Sequence, residues 1–147
     1  MIYLLRHGEA ERKNERDDAA RRLTPEGERQ SRAAGRAMAV LGISIDACLT
    51  SPKVRAADTA KLSCEALGIE PEIAEELREG GFDALALAAG RGDVLLVGHN
   101  PDFPNELARL TGAKAKIRKG GLAIVDGGTL MALLGPDELT AIADGQG

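Results

Sequence analysis

The sequence predicts an α/β fold: a three-layer sandwich in which a mostly parallel central sheet is flanked by helices. Three observations lead there. Short apolar runs at residues 2–5, 46–50 and 93–97 alternate with longer segments patterned as helices. Such alternation supplies the helical crossovers that parallel strands require. The chain has 147 residues, 44% of them hydrophobic, which suits one domain built around one core.

Each element has a local reason. Residues 2–5 form a short buried strand. Residues 9–22 are dense in charge and lack an apolar period, so they read as an exposed loop that can border a pocket. Thr24-Pro25-Glu26 starts a helix, with Thr as N-cap, Pro in the first turn and an acid near the positive end. That helix runs to about Leu41 and stops at Gly42; Ala33, Ala34 and Ala37 give it a small inner face for close packing. Residues 46–50 form a second strand, and Ser51-Pro52 caps a helix that ends near Gly68. A third strand is expected at 72–74, a helix at 82–89, a buried strand at 93–97 and a short helix at 105–110. Residues 122–125 and 129–134 flank Asp126-Gly127-Gly128, a hairpin signal.

Composition narrows the function. Tyr3, Phe82 and Phe103 are the only aromatic residues, and the net charge is −4 with Lys and Arg dispersed. Base-stacking platforms and basic grooves are therefore not expected, which excludes nucleic acid as a partner. Cys48 and Cys64 lie in apolar segments with no CxxC spacing and read as small buried thiols of a reduced, cytoplasmic chain. No run approaches the ~20 apolar residues that span a bilayer, and the first run is too short for a signal peptide.

The chemistry is concentrated at strand ends. The two histidines, His7 and His99, each close an apolar run, in Arg6-His7-Gly8-Glu9 and Gly98-His99-Asn100-Pro101. Ser51-Pro52-Lys53-Val54-Arg55 follows the strand between them. In open α/β sheets ligands bind outside the carboxyl ends of the strands, so the three motifs should converge on one pocket. Arg6 and Arg55 are forked donors suited to phosphate oxygens. A neutral imidazole whose other nitrogen is fixed by a hydrogen bond, for example to a backbone carbonyl, can attack phosphorus. A second imidazole, kept protonated beside the phosphate, would stabilise the equatorial oxygens as charge develops. Two histidines 92 positions apart make a poor zinc site, so neither a metal nor another cofactor is expected.

With these motifs the chain resembles the histidine phosphatase superfamily, whose fold is called phosphoglycerate mutase-like. The resemblance rests on Arg6-His7-Gly8, Ser51-Pro52-x-x-Arg55-Ala56-x-x-Thr59 and Gly98-His99-Asn100-Pro101, with Leu23-Thr24-x-x-Gly27 opening the first long helix. It implies that His7 is the phosphorylated nucleophile and that Arg6, Arg55 and His99 complete a phosphate pocket. Gly8 and Ser51 would border the substrate. Only 43 residues separate Arg55 from His99, which leaves no room for a large lid and makes the chain similar to compact SixA-type phosphohistidine phosphatases. In those an arginine before Leu-Thr faces the site; Arg21 matches by spacing better than Arg22. Leu77-Arg78-Glu79 resembles the local pattern around a general acid, making Glu79 the candidate. The implied substrate is a phosphohistidine domain of a partner protein, with a small phosphate ester, or a non-catalytic phosphate-binding role, as alternatives.

Overall fold

The computed structural model describes residues 1–13 and 17–145; positions 14–16 of the expected charged loop lie outside them. Six strands form one sheet in the order β3-β2-β4-β1-β5-β6: β1 (Ile2–Arg6), β2 (Ala47–Thr50), β3 (Pro71–Ile73), β4 (Val94–Gly98), β5 (Leu122–Asp126) and β6 (Thr129–Leu134). The pairs β3–β2, β2–β4 and β4–β1 are parallel, whereas β5 is antiparallel to both β1 and β6. Two-residue Gly127-Gly128 turning closes the β5–β6 hairpin as the sequence anticipates, with Gly127 at φ 59°.

Side-chain alternation divides the core. Tyr3, Leu5, Cys48, Leu95, Val97 and Leu122 face one layer, formed by α1 (Pro25–Val40), α2 (Val54–Leu67) and α5 (Pro136–Asp144). Ile2, Leu4, Leu49, Val94, Leu96 and Ala123 face the other, where α3 (Ala84–Ala88), α4 (Asp102–Thr111) and the buried Ile117 pack. The period of two in a strand thus gives each sheet face its own apolar set. Ala33, Ala34 and Ala37 are fully buried on α1, which lets this helix lie close to its neighbours.

The elements differ from expectation at three places. The helix around 105–110 begins earlier, at Asp102, because Pro104 sits in the first turn, where an amide has no intrahelical partner to lose. The helix expected over 82–89 is confined to five residues, N-capped by Asp83, whose Oδ1 accepts the Ala86 amide at 3.2 Å. Helix α5 is absent from the sequence reading. Pro136 at its start, acids in its first turn and the Glu138 carboxylate accepting the Gly135 amide at 3.0 Å are its signals.

Candidate active site

Parallel register brings the motifs together. Arg6 is the partner of Gly98, and Thr50 of Val97, so β1, β4 and β2 end side by side. The residues that follow, His7, His99 and Ser51, therefore share the carboxyl edge of the sheet. The His7 and His99 ring centroids are 5.2 Å apart, and both residues are buried. Arg6, His7, Arg21, Arg55 and His99 line one cleft of about 290 Å³, together with Ala10, Lys13, Asp18, Asn100 and Lys119.

His7 is held by its own turn. Its Nδ1 donates to the Gly8 carbonyl at 2.7 Å, which leaves the lone pair on Nε2. Burial is the main cause that lowers its pKa to about 3, and the positive charges of Arg55 and Arg6 add to it. The ring is thus neutral at physiological pH. The turn itself depends on two glycines. A Cβ on Gly8 would lie 2.5 Å from the Gly27 carbonyl oxygen, and one on Gly27 would lie 1.9 Å from that of Glu9. Only hydrogen fits where the loop after β1 crosses the first turn of α1. The Gly8 amide donates to Thr59 Oγ1 at 3.1 Å, and that hydroxyl donates to the Arg55 carbonyl at 2.7 Å. Thr59 therefore ties the first motif to the second. Gly8 holds the histidine rather than offering its amide to a substrate.

His99 is oriented by Ser51, whose Oγ lies 2.7 Å from Nε2 and also accepts the Lys53 amide at 3.2 Å. When the serine hydroxyl donates to Nε2, the ring proton sits on Nδ1. Ser51 is fully buried, stands outside the cleft lining and contacts His99; nor does it cap α2, whose helical geometry begins only at Val54 after Lys53. The imidazolium expected beside a phosphate does not stand without one. Burial first, then Arg55 and Lys53, lower the His99 pKa to about 3, against an opposing pull from Asp18. With the protein's own charges the His99 ring is neutral; a phosphate dianion beside it would raise its pKa.

Three buried side-chain nitrogens have no hydrogen-bond partner among the described residues: Arg6 Nε, Arg55 Nε and His99 Nδ1. All three belong to cleft residues. Buried donors are rarely left in this condition, because each costs about 1–3 kcal/mol when desolvated and unpaired. Three such nitrogens on residues that line one cleft are a set suited to an oxyanion. The other ends of the arginines are anchored: Arg6 Nη1 donates to the Ile117 carbonyl at 3.0 Å, and Arg55 Nη1 to the Asp18 carbonyl at 2.8 Å.

Asp18 is the unforeseen member. The loop expected to be solvated makes a 3-10 turn at Asp18–Ala20, and the Asp18 carboxylate meets Lys53 Nζ at 3.0 Å, Arg21 Nη2 at 3.1 Å and Arg55 Nη2 at 3.5 Å. The Lys53 hydrogen bond is the chief cause holding its pKa well below the usual carboxylate range, so it stays ionised. Lys13, Asn100 and Lys119 were likewise not anticipated. Lys119 had one signal nearby: Gly120, at φ 76°, donates its amide to the His7 carbonyl at 2.9 Å, so the glycine pair there binds the site rather than merely turning. Glu79 does not line the cleft; it is mostly exposed and sits 3.6 Å from Lys53 Nζ. Among the described residues no three His, Cys, Asp or Glu side chains cluster to hold a metal ion, and no helix is long and apolar enough to cross a membrane.

The family model of the histidine phosphatase superfamily (branch 1) matches residues 2–88, which contain Arg6, His7 and Arg55. The chain belongs to that superfamily. An uncharacterized protein of Picosynechococcus sp. is 31% identical over 134 residues, covering 82% of this chain and 81% of its own. A structure described as a candidate phosphohistidine phosphatase SixA of Agrobacterium tumefaciens superposes with a TM-score of 0.77 at 25% identity, over 92% of this chain and 97% of that one. The protein histidine phosphatase SixA complexed with tungstate shares the fold with a TM-score of 0.80 at 22% identity, over 94% and 98%. A candidate alpha-ribazole-5'-P phosphatase of Escherichia coli does so with 0.73 at 19%, over 92% and 96%. The α/β sandwich is therefore of the SixA type, and His99 lies beyond the segment the family model matches.

Proposed function

We propose that this protein is a metal-independent phosphatase that works through a phosphorylated His7, and that its substrate is phosphohistidine on a partner protein. The unpartnered Arg6 Nε, Arg55 Nε and His99 Nδ1, on residues that line one cleft with a neutral His7, carry the first half of this reading. The three donors would hold the equatorial oxygens of a phosphoryl group while His7 Nε2 attacks in line. The bond from phosphorus to the leaving atom breaks as the Nε2–P bond forms, and water then cleaves Nε2–P to release phosphate.

The substrate class follows from the carboxyl groups. Asp18 is the cleft's one carboxyl among the described residues, and it is held ionised by its cations. A deprotonated, ion-paired acid has no proton to give a departing alkoxide. An imidazole needs less: the phosphohistidine ring can enter already protonated and leave as neutral imidazole. The small-ester reading is supported by the likeness to the alpha-ribazole-5'-P phosphatase fold, and the lack of a protonated carboxyl in the cleft among the described residues weighs against it.

Rapid quench with a ³²P-labelled phosphohistidine protein tests both halves. Label should appear on His7 in the wild type, and His7→Ala should lose at least ~10³-fold in turnover, since no other nucleophile replaces it. Label on another residue would refute the nucleophile. A kcat/KM higher for small alkyl phosphates than for phosphohistidine protein would replace the substrate class.

A further inference from the structure

The segment between α4 and β5 carries a charge pattern that the phosphate pocket does not use. Over residues 113–118, Ala113, Ala115 and Ile117 are partly or fully buried, while Lys114, Lys116 and Arg118 alternate with them on the outside. Lys119 follows at the cleft edge. None of these four cations has a carboxylate within 4 Å among the described residues. In a chain whose net charge is −4, four cations within six residues, without a carboxylate partner among the described residues, mark a local field of opposite sign.

The segment is also fixed to the site. Arg6 Nη1 and Asn100 Nδ2 both donate to the Ile117 carbonyl, at 3.0 and 3.4 Å, and the Gly121 amide donates to the Arg118 carbonyl at 2.7 Å. A macromolecule seated on this strap would be registered against His7. Lys116 and Arg118 border a groove of about 250 Å³ with the half-exposed Leu133; its one acid among the described residues, Glu138, accepts the Gly135 amide through Oε1. The cations occupy successive outward positions and do not converge on one cavity, so they suit several carboxylates spread over a protein surface better than one small anion.

We propose that Lys114, Lys116 and Arg118 form a docking ledge for an acidic protein surface that flanks the phosphorylated residue of the substrate. This rests on the protein-substrate reading above. The ledge lies outside the phosphate pocket, so it governs encounter and KM rather than the chemical step.

The test compares the wild type with Lys114→Glu/Lys116→Glu/Arg118→Glu on two substrates: a phosphohistidine protein with acidic residues around its histidine, and p-nitrophenyl phosphate. The triple variant should lose about tenfold or more in kcat/KM on the protein at low salt, through KM, and the loss should shrink in 0.5 M NaCl as screening removes the attraction. Hydrolysis of p-nitrophenyl phosphate should change less than about twofold, which also reports that the variant is folded. Neutralising the substrate's acids should produce the same loss in the wild type and no further loss in the variant. Equal losses on both substrates, or an unchanged rate on the protein, would overturn the ledge. If the wild type turned over p-nitrophenyl phosphate but not the protein, the substrate reading would fail and the ledge with it.

Discussion

On the sheet side of the cleft, His7 and His99 are held by neutral contacts of fixed geometry: a backbone carbonyl, a buried serine hydroxyl and two glycines in van der Waals contact. On the loop side, Arg21, Lys53 and Arg55 meet on the half-exposed carboxylate of Asp18. The difference teaches where precision is needed. The sheet side places a nucleophile, whose alignment tolerates little error. The loop side collects positive charge, which acts over distance and tolerates adjustment. Packing and salt should therefore act on different walls.

The sheet wall should break sterically. Gly27→Ala drives a methyl into the Glu9 carbonyl, where backbone rather than a flexible side chain must give way. Urea denaturation should show a loss of about 2–4 kcal/mol. An unchanged midpoint would mean that the two segments can separate freely.

The loop wall should break chemically. Arg55→Lys keeps a positive charge near Asp18 but removes the Nε donor and the fork. Its kcat/KM should fall about 10²-fold, equivalent to ~2.7 kcal/mol, with stability little changed. Activity near wild type would mean that charge alone suffices on that wall.

Acid should separate the walls again. His7 and His99 titrate near 3 in the folded protein and near the ordinary 6.5 when unfolded. Depressed folded values contribute stability that is present above pH 6.5 and lost as pH falls towards 3. The loss approaches about 1.4 kcal/mol per pH unit for each histidine. Asp18, also depressed, is lost at still lower pH. Denaturation of wild type and His99→Gln at pH 7, 5 and 4 checks this: the variant should lose less on acidification. Parallel curves would show that His99 is not buried neutral.

The smallest effect is expected at Glu79. Exposed and, among the described residues, ion-paired only with Lys53, it should tolerate Glu79→Gln with less than about twofold change on either phosphohistidine or ester substrates. A selective loss on esters would restore it as a proton donor.

Much of this site is legible in the chain. Arg6, His7, Arg55 and His99 stand beside strand ends, and a parallel sheet must bring such positions to one edge. Arg21 is legible through its place before Leu23-Thr24. Gly8 and Ser51 belong to the same motifs, but their polar groups point at Thr59 and His99, and no motif says which way a hydroxyl or amide is spent. Asp18 and Lys13 stand in a charged loop that reads alike whether it solvates itself or folds onto an arginine, Asn100 stands in the third motif with no role assigned to it there, and Lys119 is marked only by the glycine after it.

By itself the sequence determined the α/β layering, the strand ends that carry the chemistry and the residue types suited to a phosphoryl group, because these follow from periodicity and side-chain chemistry along a local stretch. The tertiary structure alone decided the protonation of the two histidines, the ionised state of Asp18 and the exclusion of Glu79 from the cleft. Those depend on burial and on charges distant in sequence, and electrostatic energy is fixed by separation in space.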